Sequence, residues 1–233
     1  MKLDMNSPPI RIRAWGKSAS FTRYDTPAER DTYPMLTVPA ADGILTSVYW
    51  HPGLRYEIMA IHVLSQVQIY TWHSNELKTI PGKDGTDILS NHTPRIHRVI
   101  HQPEYVIDAR IVLPPEANSP EDHGKFYGIL KRRLDRGQNY EQPFFGLREY
   151  VCHVEPISRF TPWDADADLG PVPLMLHEIP DPAGPLTLTR HVHDLGTATW
   201  LRHQLKGRVE AEYFEGKVRA GTLRVPPYRE RAQ

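Results

Sequence analysis

The stretch "IRIRAWG" (10–16) sets Ile10, Ile12 and Ala14 against Arg11, Arg13 and Trp15 in strict alternation. A period of two predicts a half-buried strand whose outer face is basic and aromatic. "KSASFTRYDTPAERDTYPM" (17–35) has no sustained period and predicts a loop. In "TVPAADGILTSVYWHPG" (37–53) the apolar Ala40, Ala41, Ile44, Leu45 and Val48 share one helical face. Thr37 stands at the cap, Pro39 suits the first turn, and His51-Pro52-Gly53 stops the helix. Tyr49 and Trp50 fall in its last turn, where a side chain can leave the core and face a cleft.

"RYEIMAIHVLSQVQIYTW" (55–72) is β-branched and predicts one long strand, or two joined by a bulge. Residues 74–97 read as a polar insertion bearing Gly and Pro. "EYVIDARIVLPP" (104–115) predicts a strand, "DHGKFYGILKRRLDRGQ" (122–138) a helix, and "REYVCHVEPI" (148–157) a further strand. Strand, helix, strand, strand, helix, strand is the split βαβ order. It predicts an α+β, ferredoxin-like (RRM-like) main domain over residues 1–157. From Ser158, proline-rich turns separate "PLTLTRHVH", "ATWLRHQLKGRVEAEYFEG" and "KVRAGTLRV". They predict a small β-rich C-terminal region, 158–233, ending in a frayed basic tail.

Composition narrows the function classes. A chain of 233 residues can bury one sizeable core. Its 22 prolines favour loops and short elements over a helical bundle. A formal net charge of zero argues against a general coating of nucleic acid, so any such surface is local. The single cysteine, Cys152, excludes an internal disulfide and a Cys-rich zinc site, and the chain reads as cytoplasmic. No apolar run approaches the roughly 20 residues that span a bilayer, and no membrane contact is expected.

The basic helix carries the most pointed chemistry. At about 100° per residue, Phe126, Ile129, Leu130 and Leu134 form the buried stripe. Lys125, Arg132 and Arg136 fall within about 40° of one another beside it. That alignment reads either as a solvated face or as a cationic rail for phosphates. His123-Gly124 ahead of Lys125 favours the rail, because a helix start offers free backbone N–H groups to an anion. "GQNYEQPFFGLRE" (137–149), with two glycines, paired Phe144 and Phe145, and Arg148-Glu149, predicts a structured functional loop. His191-Val192-His193 offers two imidazoles without a third ligand at characteristic spacing, and "DADADLG" (164–170) lacks the calcium-loop glycine and glutamate. No metal and no other cofactor is expected.

Three stretches together resemble a known family: "IRIRAWGKSASFTR", "ERDTYPMLTVPAADGILTSVYWHP" and "HGKFYGILKRRLDRGQNYEQPFFGLREY", with "DLGPVPLMLHEI" more weakly. The chain is similar to the type I-C (Dvulg-type) CRISPR-associated proteins of the RAMP superfamily, the Cascade subunit that processes precursor crRNA. The resemblance covers most of residues 10–180 and is poor in 74–97 and at the C-terminus. It implies a metal-independent endoribonuclease that cuts repeat RNA at the base of its hairpin by attack of a 2′-OH. It implies retention of the crRNA 5′ handle beside the large and backbone subunits of Cascade, and leaves contact with target DNA near the PAM open. The family's tyrosine falls on Tyr49 and its lysine on Lys125. Its histidine normally follows that lysine, and here the position is Phe126. Either His123 supplies the imidazole from a displaced position, or cleavage is lost and the chain binds the handle as an assembly subunit. Arg11, Arg13, Trp50, His51, Arg132, Arg136 and Arg148 are the expected RNA-binding residues.

Overall fold

A computed structural model describes residues 8–23, 26, 30–51, 54–77, 92–113, 120–163, 172–178, 186–194, 199–207 and 212–226. The chain order begins β1 (Ile10–Gly16), β2 (Ser18–Ala19), α1 (Val38–Val48), β3 (Arg55–Val63), β4 (Gln68–Leu77), β5 (His92–His101) and β6 (Glu104–Val112). It continues α2 (Pro120–Asp135), β7 (Cys152–Pro156), β8 (Val172–Glu178), β9 (Leu186–Asp194), β10 (Thr199–Gly207), β11 (Glu212–Gly216), β12 (Val218–Arg219) and β13 (Thr222–Arg224). The main sheet has six strands in the order β12-β13-β3-β6-β1-β7. Its inner four, β3-β6-β1-β7, are the second, third, first and fourth strands of a split βαβ unit, each antiparallel to its neighbour. The α+β, ferredoxin-like expectation therefore holds.

The pattern of side chains explains the layering. Ile10, Ile12 and Ala14 of β1 are buried, as are Ile107, Ala109 and Ile111 of β6. They meet α1 through Ala41, Ile44, Leu45 and Val48, and α2 through Phe126, Leu130 and Leu134. Burial of these branched side chains supplies the main drive to fold, each worth about 1.5–3 kcal/mol. The other face of the sheet carries Arg11, Arg13, Asp108, Glu155 and His62, joined by ion pairs rather than packing.

Several boundaries differ from the sequence pattern. The apolar run 55–72 is two strands in different sheets, β3 and β4, separated by residues 64–67. A bulge does occur, inside β3, where the register against β6 shifts between Ile58 and Ala60. The ends of the expected insertion 74–97 are strand: β4 pairs with β5 from Gln68↔His101 to Leu77↔His92. Residues 78–91 lie outside the described residues, as do 164–170 and 227–233. The strand expected over 148–157 begins only at Cys152, because a tight turn occupies 144–151. The run 198–216 is divided between β10, which pairs with β9, and β11, which pairs with β8. The β12–β13 hairpin turns through Ala220 and Gly221, both at positive φ, and lays Leu223 beside Ile61 of β3. Among the described residues, no helix is long and apolar enough to cross a membrane.

Candidate active site

Two helix ends meet to form the site. α1 stops because Tyr49 leaves helical geometry (φ −146°, ψ 115°) while its N–H still bonds Leu45 O at 3.0 Å. The last carbonyls of a helix need outside donors, and the end of α2 supplies them. Arg133 Nη1 donates to Val48 O at 3.0 Å. The Tyr140 N–H donates to Ser47 O at 2.8 Å, and the Glu141 N–H to the same carbonyl at 3.0 Å. That loop is placed by a Schellman turn closing α2. Gly137 adopts φ +61°, its N–H bonds Leu134 O at 3.1 Å, and the Gln138 N–H bonds Arg133 O at 2.9 Å. Tyr56 Oη adds a donor to Tyr49 O at 2.7 Å.

These constraints fix an aromatic and cationic group. Tyr49 (7% exposed) lies with its ring 6.4 Å from Phe126, and the Arg133 guanidinium stands 5.3 Å over it. The His51 imidazole is 4.8 Å from the Phe126 ring. Lys125 is exposed, its Nζ 6.0 Å from the same ring. Tyr49, His51 and Lys125 are thus all neighbours of the Phe126 ring. Beside it, Trp50 and Tyr140, both exposed, lie 6.2 Å apart with their planes 31° from parallel. Burial raises the Tyr49 phenol above its ordinary pKa, and Arg133 only partly opposes this. At neutral pH it is therefore a hydrogen-bonding group rather than a proton acceptor. A cation, an imidazole, a neutral phenol and an aromatic shelf suit a phosphodiester flanked by bases.

His123 lies at the start of α2 and is buried, 5% exposed. Arg132 and Arg136 are exposed on α2 as the wheel requires. At a 1.5 Å rise they stand about 10 and 16 Å along the helix from Lys125. Arg11 and Arg13 lie on the far face of the sheet and do not join the site. Arg11 is bidentate to Asp108 at 2.6 and 2.7 Å, and Arg13 reaches Glu104 at 2.7 Å and Glu155 at 2.8 Å. Arg148 is exposed on the 144–151 turn, which bonds Ser20 N–H through Phe145 O. His191 and His193 fall on β9, opposite Arg202 and Trp200.

Sequence reasoning passed over Arg133 and Tyr140. Arg133 follows Phe126 by seven residues, about 20° away on the wheel, so it was legible as a neighbour of that stripe. Tyr140 lay inside the loop singled out for its composition, without a feature that set it apart there.

A family model described as "CRISPR-associated protein (Cas_Cas5)", Cas_Cas5d, matches residues 10–226. The chain is 30% identical over 219 residues to the CRISPR pre-crRNA endoribonuclease Cas5d of Thermus thermophilus, covering 93% of this chain and 91% of that one. It is 28% identical over 235 residues to the protein of the same name from Mannheimia succiniciproducens, covering 94% and 95%. A crystal structure described as a CRISPR-associated protein shares the fold. Its TM-score is 0.62 at 20% identity, over 94% of this chain and 92% of that one.

Proposed function

This chain belongs to the Cas5d family of CRISPR-associated proteins, and on that premise we propose that it is a precursor-crRNA endoribonuclease. It cuts repeat RNA at the base of the hairpin without a metal ion and keeps the crRNA 5′ handle as a Cascade subunit. The observation that supports the mechanism is the placement of His51, its ring 4.8 Å from that of Phe126, the residue that follows Lys125. An imidazole thus stands next to the position where the resemblance leads one to expect the family's histidine.

The 2′-OH attacks the adjacent phosphorus as the P–O5′ bond breaks, leaving a 2′,3′-cyclic phosphate and a 5′-OH. Tyr49, neutral because it is buried, donates or accepts a hydrogen bond that orients the 2′-OH. His51 takes the 2′-OH proton. The Lys125 ammonium stabilises the charge on the phosphorane and gives a proton to O5′. Trp50 and Tyr140 stack the bases on either side of the cut, and Arg132 and Arg136 carry the hairpin phosphates along α2. Arg148, on its separate turn, contacts a more distant part of the RNA. The chain seats the product against the large and backbone subunits.

The test is an end-labelled repeat hairpin incubated in EDTA. The wild type cuts once, and Lys125→Ala slows the cut at least about 100-fold. A wild type that binds the hairpin tightly without product sinks the enzymatic reading. Phe126 favours the second reading in that event: a non-cleaving subunit that holds the handle, with tight and salt-sensitive binding.

A further inference from the structure

Tyr56 is a buried phenol that the cleavage chemistry above does not use. It stands on β3 opposite Ile111 of β6, 7% exposed, and its Oη donates to Tyr49 O at 2.7 Å. Tyr49 is the residue at which the chain leaves α1, so its carbonyl has no partner inside the helix. Its N–H is still held by Leu45 O at 3.0 Å. The two bonds therefore fix the planar peptide groups on both sides of Tyr49, and with them the direction in which Trp50 and His51 depart. Farther on, the Leu54 N–H bonds His51 O at 3.0 Å, just before β3 begins at Arg55. Tyr56 thus ties the strand back to the segment that carries Tyr49, Trp50 and His51. Burial pushes its phenol far above the ordinary tyrosine range, with Tyr49 and Asp42 adding to the rise and Arg133 opposing it. The group stays a hydrogen-bond donor at any pH suited to RNA.

We propose that Tyr56 is a positioning residue for RNA cleavage: its bond to Tyr49 O aims Trp50 and His51 at the scissile phosphate. The inference rests on the RNA-cleaving reading above. Tyr56 acts through Tyr49 and not on the RNA, since its side chain belongs to the main core. Loss of the bond therefore falls on the chemical step, where a small misplacement of a reacting group slows the reaction without weakening binding.

Tyr56→Phe removes the donor and keeps the ring. Single-turnover cleavage of the repeat hairpin in EDTA is followed over a range of enzyme concentrations, together with backbone amide exchange in the same proteins. The maximal rate falls about tenfold, while the half-saturating concentration stays within about twofold of the wild type. Ile111→Val, a core substitution on the paired strand with a similar loss of stability, keeps the maximal rate. Exchange quickens in Tyr56→Phe at the Trp50, His51 and Leu54 amides but not along β3 and β6. A Tyr56→Phe protein that cuts at the wild-type rate overturns the inference, as does one that only binds RNA more weakly. An equal loss of rate in Ile111→Val also overturns it, because the effect is then one of stability alone. A wild type that makes no cut overturns the cleavage reading itself.

Discussion

Phe126, next to the proposed catalytic Lys125, can neither give nor take a proton, so the proposed cleavage needs an imidazole from elsewhere. Two histidines stand near, and their burial separates them. His123 is 5% exposed at the start of α2, whereas His51 is only half-buried, its ring 4.8 Å from that of Phe126. His51→Ala is expected to cut the cleavage rate in EDTA about 100-fold, while His123→Ala chiefly lowers stability. The rate of the wild type shows no rise with pH through the ordinary tyrosine range, because burial lifts the Tyr49 phenol above it. A loss of rate in His123→Ala alone, without loss of stability, would hand the role to His123. Tyr49, Lys125 and the lack of a histidine at Phe126 were singled out through the family resemblance, not through any local pattern. The role of His51 was not, because it depends on two helices meeting, which no local pattern encodes.

At the scale of elements, α2 and the loop that follows it hold the site by capping the end of α1. Arg133 donates to the last turn of α1 and lies over Tyr49. Arg133→Ala is expected to destabilise the fold by about 1 kcal/mol and to lower kcat about tenfold with little change in KM. A rise in KM alone would instead mark Arg133 as an RNA contact. The 144–151 turn makes a sharper demand. Gly146 adopts φ +82°, and a Cβ there would lie 1.9 Å from Ser20 O. Gly146→Ala is therefore expected to cost about 2–4 kcal/mol in urea unfolding, and an unchanged midpoint would refute it. Strand and helix order was readable because period-two and period-3.6 stripes survive in β1, β6, α1 and α2. The β4–β5 hairpin was not, since apolar Trp72, Leu77 and Ile96 are exposed on it while the polar His97 is buried, so its apolar positions do not mark its buried face. The Arg148–Val151 turn was read as strand because Tyr150 and Val151 are strand formers, whereas the bonds from Tyr150 N–H to Leu147 O and from Phe145 N–H to Tyr150 O fold it back.

Across the whole molecule, the ion pairs on the open sheet face bind the first strand to the last. Asp108 of β6 accepts both Arg11 bonds from β1 and lies 3.2 Å from His62 Nε2 of β3. His62 Nδ1 in turn meets Thr222 Oγ1 of β13 at 2.9 Å. Burial alone would raise the Asp108 pKa, but the Arg11 and His62 bonds outweigh it and bring it to about 2, against an ordinary 3.8. The folded state thus favours the ionised carboxylate more than the unfolded chain does. This group's stabilisation is complete above about pH 4 and disappears as the pH falls toward about 2. With the side chain 15% exposed, screening leaves about 1–2 kcal/mol. Urea unfolding of the wild type and Asp108→Asn at pH 5 and pH 3 isolates the contribution from that of the other carboxylates. The stability gap between the two proteins should narrow by about 1 kcal/mol on acidification. A gap that stays constant would mean that Asp108 is no more strongly held than a surface carboxylate. The C-terminal hairpin would then owe its place to Leu223 packing on β3 rather than to the charge chain that reaches it.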